Sequence, residues 1–112
     1  MQIRHVLFIC GQNRLRSPTA EQVFADWPGI EVSSAGLNHH AENPLTPELV
    51  AWADLIFVME TAQHHKLRKK YQPQLKHAKV ICLNIPDTFT FMHPALVALL
   101  QTRVSPHLPK FG

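Results

Sequence analysis

Apolar residues along this chain gather in four short blocks separated by longer mixed segments. The blocks are HVLFIC (residues 5–10), IEVSSAG (30–36), DLIFVME (54–60) and KVICLNI (79–85). Most are unbroken runs rich in Val, Ile and Phe, the pattern of strands buried on both faces. The segments between them read as helices. Ser17-Pro18 has the form of an N-cap followed by a first-turn proline, ahead of TAEQVFADW. Thr46-Pro47 repeats the device before ELVAWA, Thr61 stands where AQHHKLRKKY needs a cap, and Pro73 is expected to end that helix. Last comes HPALVALLQTRV (93–104), with Leu96, Val97, Leu99 and Leu100 on one stripe.

Strand and helix alternating four times predict a three-layer α/β/α fold with a four-stranded parallel sheet. Ligands in such folds bind beyond the carboxyl ends of the strands. The loop CGQNRLRS (10–17) begins at that end of the first strand. No repeat, low-complexity tract or linker interrupts the chain, so residues 1–112 are expected to form one domain. LNHHAENPL (37–45) is the longest loop before the second capped helix.

With 112 residues, 46% of them hydrophobic, there is room for one core, and any site must be made from loops upon it. A formal charge of +3 admits an anionic ligand but lacks the dense basic stripe of a nucleic-acid binder. KLRKK (66–70) reads as a solvated helix face. Two cysteines, Cys10 and Cys82, make no disulfide framework and fit no common zinc spacing, which points to a reducing compartment. The apolar start VLFIC is far too short for a membrane span or signal-peptide core. A cytoplasmic protein without membrane or nucleic-acid partners is expected. Cys82 reads as core. The pairs His39-His40 and His64-His65 lack carboxylate or cysteine companions at ligand spacing, so neither metal nor cofactor is expected.

The loop after the first strand carries the chemistry. Wrapped around an anion, residues 10–16 would converge their backbone N–H groups on it, and the following helix would add its positive end. Arg16 offers a planar fork that matches two phosphate oxygens. Such surroundings favour a cysteine thiolate, and a thiolate facing phosphorus is a nucleophile able to form a phosphocysteine. The bland alternative is that Cys10 is a small hydrophobe at a strand end. Asp87 follows Pro86 at the end of the fourth block, on the rim where this loop opens. It reads either as a turn former or as a general acid.

VLFICGQNRLRSPTAEQVF resembles the signature of the low-molecular-weight protein tyrosine phosphatase family, C-x5-R-S-P between a strand and a helix. VSSAG (32–36), DLIFVME with its acidic residue after methionine, and IPDTF (85–89) resemble further segments of that family. The resemblance implies Cys10 as nucleophile, Arg16 as phosphate clamp and Asp87 as general acid. It implies phosphate binding by Gly11, Gln12, Asn13, Arg14, Leu15 and Arg16. Asn13, Ser17 and Ser34 match residues that brace the loop.

The chain departs from the family in places. Gln12 stands where glycine is usual, which narrows the pocket or changes the backbone there. Leu15 replaces a second cysteine, leaving Cys10 without a quick disulfide partner and more open to over-oxidation. A helical segment between the second and third strands is missing, and with it a histidine that fixes the phosphate loop in the family. His39 and His40 are read as exposed loop residues rather than substitutes. Thr88 replaces a proline, while Phe89 and Phe91 are expected either at the substrate rim, walling a phosphotyrosine ring, or in the core.

The function these readings imply is phosphomonoester hydrolysis through a phosphocysteine without metal. The expected substrates are a phosphotyrosine protein or a small phosphomonoester, with inorganic phosphate as product. The alternatives are a thiol-dependent arsenate reductase and a catalytically silent phosphate-binding module.

Overall fold

A computed structural model describes residues 3–75 and 77–110. Four strands, β1 (Arg4–Cys10), β2 (Ile30–Gly36), β3 (Leu55–Val58) and β4 (Lys79–Cys82), form one sheet in the order β2-β1-β3-β4. Every neighbouring pair is parallel. Helices α1 (Arg16–Phe24), α2 (Pro47–Trp52), α3 (Thr61–Tyr71) and α4 (Pro94–Val104) connect and flank it. The three-layer architecture expected from the alternating blocks is therefore the one observed.

The two central strands explain the unbroken apolar runs. Side chains alternate along a strand, so each run must satisfy two cores. Val6, Phe8 and Cys10 of β1, with Leu55 and Phe57 of β3, pack beneath α1 and α4 against Ala20, Phe24, Leu96, Leu100 and Val104. Phe8 stacks between Phe24 and Phe57, with ring centroids 5.8 and 5.3 Å away. Leu7, Ile9, Ile56 and Val58 face the other way, against Val50, Ala53, Leu67 and Tyr71. The edge strands are less buried. Cys82 ends β4 half-buried rather than in the core, because β4 is an edge strand with a neighbour on one side alone.

Two caps differ from expectation. Thr46 caps α2 as read, its hydroxyl accepting from the Leu49 N–H, with Pro47 behind it. In α3, however, the cap is Glu60 rather than Thr61. Glu60 and Gln63 form a reciprocal capping box, a carboxylate being a stronger acceptor for orphan N–H groups than a hydroxyl. Helix α1 opens at Arg16, with Leu15 in the cap position and no side chain capping it. Ser17 lies inside the first turn. Helix α3 ends at Tyr71, and Pro73 falls within the 3-10 turn Gln72–Leu75.

Because β1 pairs with β2 on one side and β3 on the other, chain connections leave it in opposite directions. Their divergence opens a crevice at its carboxyl end. The loop 37–45 folds over that end. Gly36 permits this closeness, since a Cβ there would meet the Ala41 side chain and lie 2.7 Å from the Gly11 carbonyl oxygen. Replacing Gly36 with Ala should lower unfolding free energy by about 1–3 kcal/mol, the cost of overpacking. An unchanged urea midpoint would show that the two loops are not held in contact there.

Candidate active site

Residues 10–16 curl beneath an open cavity of about 360 Å³ lined by Cys10, Gly11, Gln12, Arg14, Leu15, Arg16, Asn38 and Asp87. Such a volume suits a small ligand or one side chain. Of the loop residues expected to face an anion, Asn13 alone is absent from the lining. It turns inward, with φ of +55° and a buried side chain. Asparagine tolerates this left-handed conformation better than most residues.

That inward turn builds a hydrogen-bond chain. The Asn13 N–H donates to Cys10 Sγ at 3.2 Å, and Ser17 Oγ lies 3.0 Å from the same sulfur. Asn13 Nδ2 donates to both Ser17 Oγ and Ser34 Oγ at 2.9 Å. Ser34 in turn donates to the Glu21 carboxylate. Each hydroxyl has one proton, and with Cys10 as a thiolate, able only to accept, the order of donors follows. Ser34 spends its proton on Glu21, both amide protons of Asn13 are used, and Ser17 has its own proton left for Cys10. Two donors thus converge on the sulfur. This explains why Ser17 does not cap α1: its hydroxyl is buried beside the thiol rather than turned to the helix end.

The helix N-terminus remains open instead. Among the described residues no backbone carbonyl accepts from the N–H groups of Gly11, Gln12, Arg14 or Leu15. These four residues, the start of α1 and Arg16 border the same cavity. Arg16 is only 5% exposed, yet it is paired. Its Nη1 donates to the Glu60 carboxylate and, at 2.8 Å, to the Ile85 carbonyl. The Nε–Nη2 edge has no hydrogen-bond partner among the described residues, and Nε lies 3.6 Å from Asp87 Oδ1. One edge of the fork anchors the group. The other is available for a planar two-oxygen ligand.

Asp87 itself is largely exposed, on the loop following β4. That loop is tied down on both sides. Leu83 and Ile85 donate backbone N–H groups to Val58 and Met59, and Arg103 of α4 donates to the Leu83 and Asn84 carbonyls at 2.8 Å.

Phe89 and Phe91 lie elsewhere. Phe89 packs partly buried against the core beneath α1 and α4. Phe91 is 51% exposed in a depression with Pro18, Glu21 and Gln22. Met92, with φ of +59°, has its N–H bonded to Thr19 Oγ1 of α1, and neither ring lines the cavity. At the cavity the apolar side chain is Leu15. Gln12 occupies the usual glycine position without a left-handed backbone, its side chain exposed on the rim.

The loop brace also comes from an unexpected quarter. His39 and His40 are exposed and pack edge to face on each other, 4.9 Å between ring centres. The backbone of 37–42 does the bracing. Leu37, Asn38 and Glu42 donate N–H groups to the carbonyls of Cys10, Gly11 and Gln12 at 2.9–3.1 Å, and Glu42 pairs with Arg14 at 3.6 Å. Glu60, Asn38 and Glu21 received no role from the sequence. Glu60 carried a signal, the Glu-x-x-Gln spacing of a capping box; the other two carried none. Among the described residues no trio of His, Cys, Asp or Glu is placed to hold a metal ion.

Residues 5–53 match the family model described as low molecular weight phosphotyrosine protein phosphatase. No curated protein matches the chain in sequence. Solved structures share the fold at low identity. An arginine phosphatase, YwlE from Geobacillus stearothermophilus, superposes with a TM-score of 0.74 at 21% identity, over 91% of this chain and 88% of that one. The tyrosine phosphatase Wzb from Escherichia coli K30, in complex with phosphate, gives 0.75 at 19% identity, over 95% and 96%. SP-PTP, a low molecular weight protein tyrosine phosphatase from Streptococcus pyogenes, gives 0.76 at 16%, over 96% and 95%.

Two variants separate the two tasks of Asn13. Asn13→Gly keeps the left-handed backbone but removes the amide, leaving Ser17 and Ser34 short of a donor, and should cost about 1–3 kcal/mol of stability. Asn13→Ala adds the left-handed penalty, about 1–2 kcal/mol more. Urea unfolding should therefore rank wild type above Gly and Gly above Ala. A reversed order of the two variants would mean the backbone conformation is not what position 13 supports.

Proposed function

We propose that the chain, whose residues 5–53 match the low molecular weight phosphotyrosine protein phosphatase model, is a phosphatase of that family and hydrolyses phosphomonoesters through a phosphocysteine, with phosphotyrosine in proteins as its substrate class. The observation that carries this reading is the position of Cys10 Sγ. Two donors converge on it, in a cavity that also presents the open Arg16 edge and Asp87.

The proposed reaction has two displacements. The Cys10 thiolate attacks phosphorus while the loop N–H groups and the Nε–Nη2 edge of Arg16 hold the non-bridging oxygens. The P–O bond to the leaving group breaks, and Asp87 donates its proton to the departing oxygen. As a carboxylate, Asp87 then takes a proton from water, which attacks the phosphocysteine, breaks the S–P bond and releases phosphate. The thiolate is regenerated and no electrons change hands. Arg16 is suited to both steps because its anchoring bonds use Nη1, so binding a phosphate need not break them.

The phosphotyrosine assignment rests on the family-model match over residues 5–53 and on a cavity with an apolar edge at Leu15. An arsenate-reducing route would need a thiol relay, and Cys82, in a separate depression with Ile81, Asn84, Arg103 and His107, does not border the cavity.

Hydrolysis of p-nitrophenyl phosphate should continue in EDTA and fall to background in Cys10→Ser; retained turnover in that variant would remove the nucleophile assignment. Asp87→Asn should lose about 10²-fold on phosphotyrosine and distinctly less on p-nitrophenyl phosphate, whose leaving group needs no proton. Equal losses on both substrates would argue that Asp87 is not the acid.

A further inference from the structure

Helix α3 carries Lys66, Arg68, Lys69 and Lys70 within five residues and no acid inside its bounds. These four cations do not share one environment. Arg68 turns back along the helix, its Nε donating to His64 Nε2 at 2.9 Å. Lys66, Lys69 and Lys70, at the i, i+3, i+4 spacing of a single helical face, line a groove of about 480 Å³ with Leu37. No carboxylate lines that groove, and none of the three lysines forms an ion pair among the described residues. Lys70 lies 5.6 Å above the Tyr71 ring, a contact that leaves its charge unneutralised. Three like charges on one face repel one another, and an anion in the groove would relieve that repulsion.

The place of this groove relative to the cavity gives it meaning. Leu37, its apolar wall, donates its N–H to the Cys10 carbonyl, and the next residue, Asn38, lines the cavity beside Cys10. Groove and cavity are therefore lined by consecutive residues, Leu37 and Asn38. An extended polypeptide covers about 3.3 Å per residue, so a segment with its phosphorylated side chain in the cavity reaches the groove within a few residues. A basic groove far from the loop would be a solvated surface. Here it continues the binding site in one direction.

We propose that this groove docks the acidic flank of a phosphorylated polypeptide. The substrate class thereby narrows to phosphoprotein segments with two or more Asp or Glu residues close in sequence to the phosphorylated one. This rests on the phosphatase reading. Charge pairing at an exposed, lysine-lined groove acts mainly on encounter and binding, so the acidic flank should appear in KM and leave kcat nearly unchanged.

The test compares two phosphotyrosine peptides of equal length, one with three glutamates near the phosphotyrosine and one with glutamines there, alongside p-nitrophenyl phosphate. At low salt the acidic peptide should have a kcat/KM about tenfold higher, carried by KM and vanishing in 0.5 M salt, roughly as three partly screened charge pairs would give. The triple variant Lys66→Gln, Lys69→Gln, Lys70→Gln should abolish the preference while hydrolysing p-nitrophenyl phosphate at the wild-type rate. Equal kcat/KM for both peptides, or a preference that survives in the triple variant, would overturn the proposal. Peptide binding to Cys10→Ser by fluorescence anisotropy decides the matter apart from turnover. If the wild type fails to hydrolyse p-nitrophenyl phosphate, the phosphatase reading fails, yet lysine-dependent binding of the acidic peptide still supports the groove and its absence overturns it. Tighter binding of a single-stranded oligonucleotide than of the acidic peptide, lost in the triple variant, would assign the groove to nucleic acid and also overturn the proposal.

Discussion

A guanidinium withdrawn from water must be paired, and burying Arg16 is the constraint on which the rest of this molecule depends. Its Nη1 draws Glu60 from the start of α3 and the Ile85 carbonyl from beyond β4 to one point beside the loop after β1. Three segments remote in sequence are thus held together by one side chain. Each also has its own anchor: the capping box for Glu60, the strand-like bonds to Met59 for Ile85, and the first turn of α1 for Arg16. Removing Glu60 would leave the buried charge with the Ile85 carbonyl and the largely exposed Asp87 as its partners, so the arrangement resists partial change. The opposite edge of the guanidinium inherits a fixed orientation from these bonds.

Around this anchor the loop is shaped from both sides. Asn13 holds it from within, through a chain of donors that ends at the Glu21 carboxylate, and the backbone of 37–42 holds it from outside. Backbone donors do not depend on the side chain at their position. The outer brace therefore tolerates the absence of the expected histidine, provided Gly36 lets the two loops approach.

Much of the fold could be read from pattern because β1 and β3 are buried on both faces, which forces an unbroken apolar run. The cavity residues Cys10, Arg16 and Asp87 could also be found, since Cys10 ends β1 and the other two lie on segments that follow the carboxyl ends of strands, where α/β folds place ligands. Local signals were less faithful where a side chain had two uses. Ser17 has the spacing of a cap but is claimed by the sulfur, and Thr61 is outcompeted by the carboxylate beside it. For Phe89 and Phe91 the sequence left rim and core both open, and Phe89 packs partly buried against the core while Phe91 stays exposed. The left-handed backbone at Met92, just after them, is likewise not signalled by its residue type. Glu21 and Asn38 could not be found at all, because their partners lie in other elements and no local spacing encodes them.

The reach of Arg16 has a consequence for folding. The segment that matches the family model ends at residue 53, whereas Arg16 is anchored at Glu60 and Ile85, the latter 69 positions away in sequence. Bringing such distant partners together costs loop-closure entropy that local contacts do not offset, so the cavity forms only when β3 and β4 have docked beside β1. A nascent chain carries the segment that matches the family model well before it has the groups that orient Arg16. Cys10 is thereby left without its complete cavity until the chain has been made past Ile85.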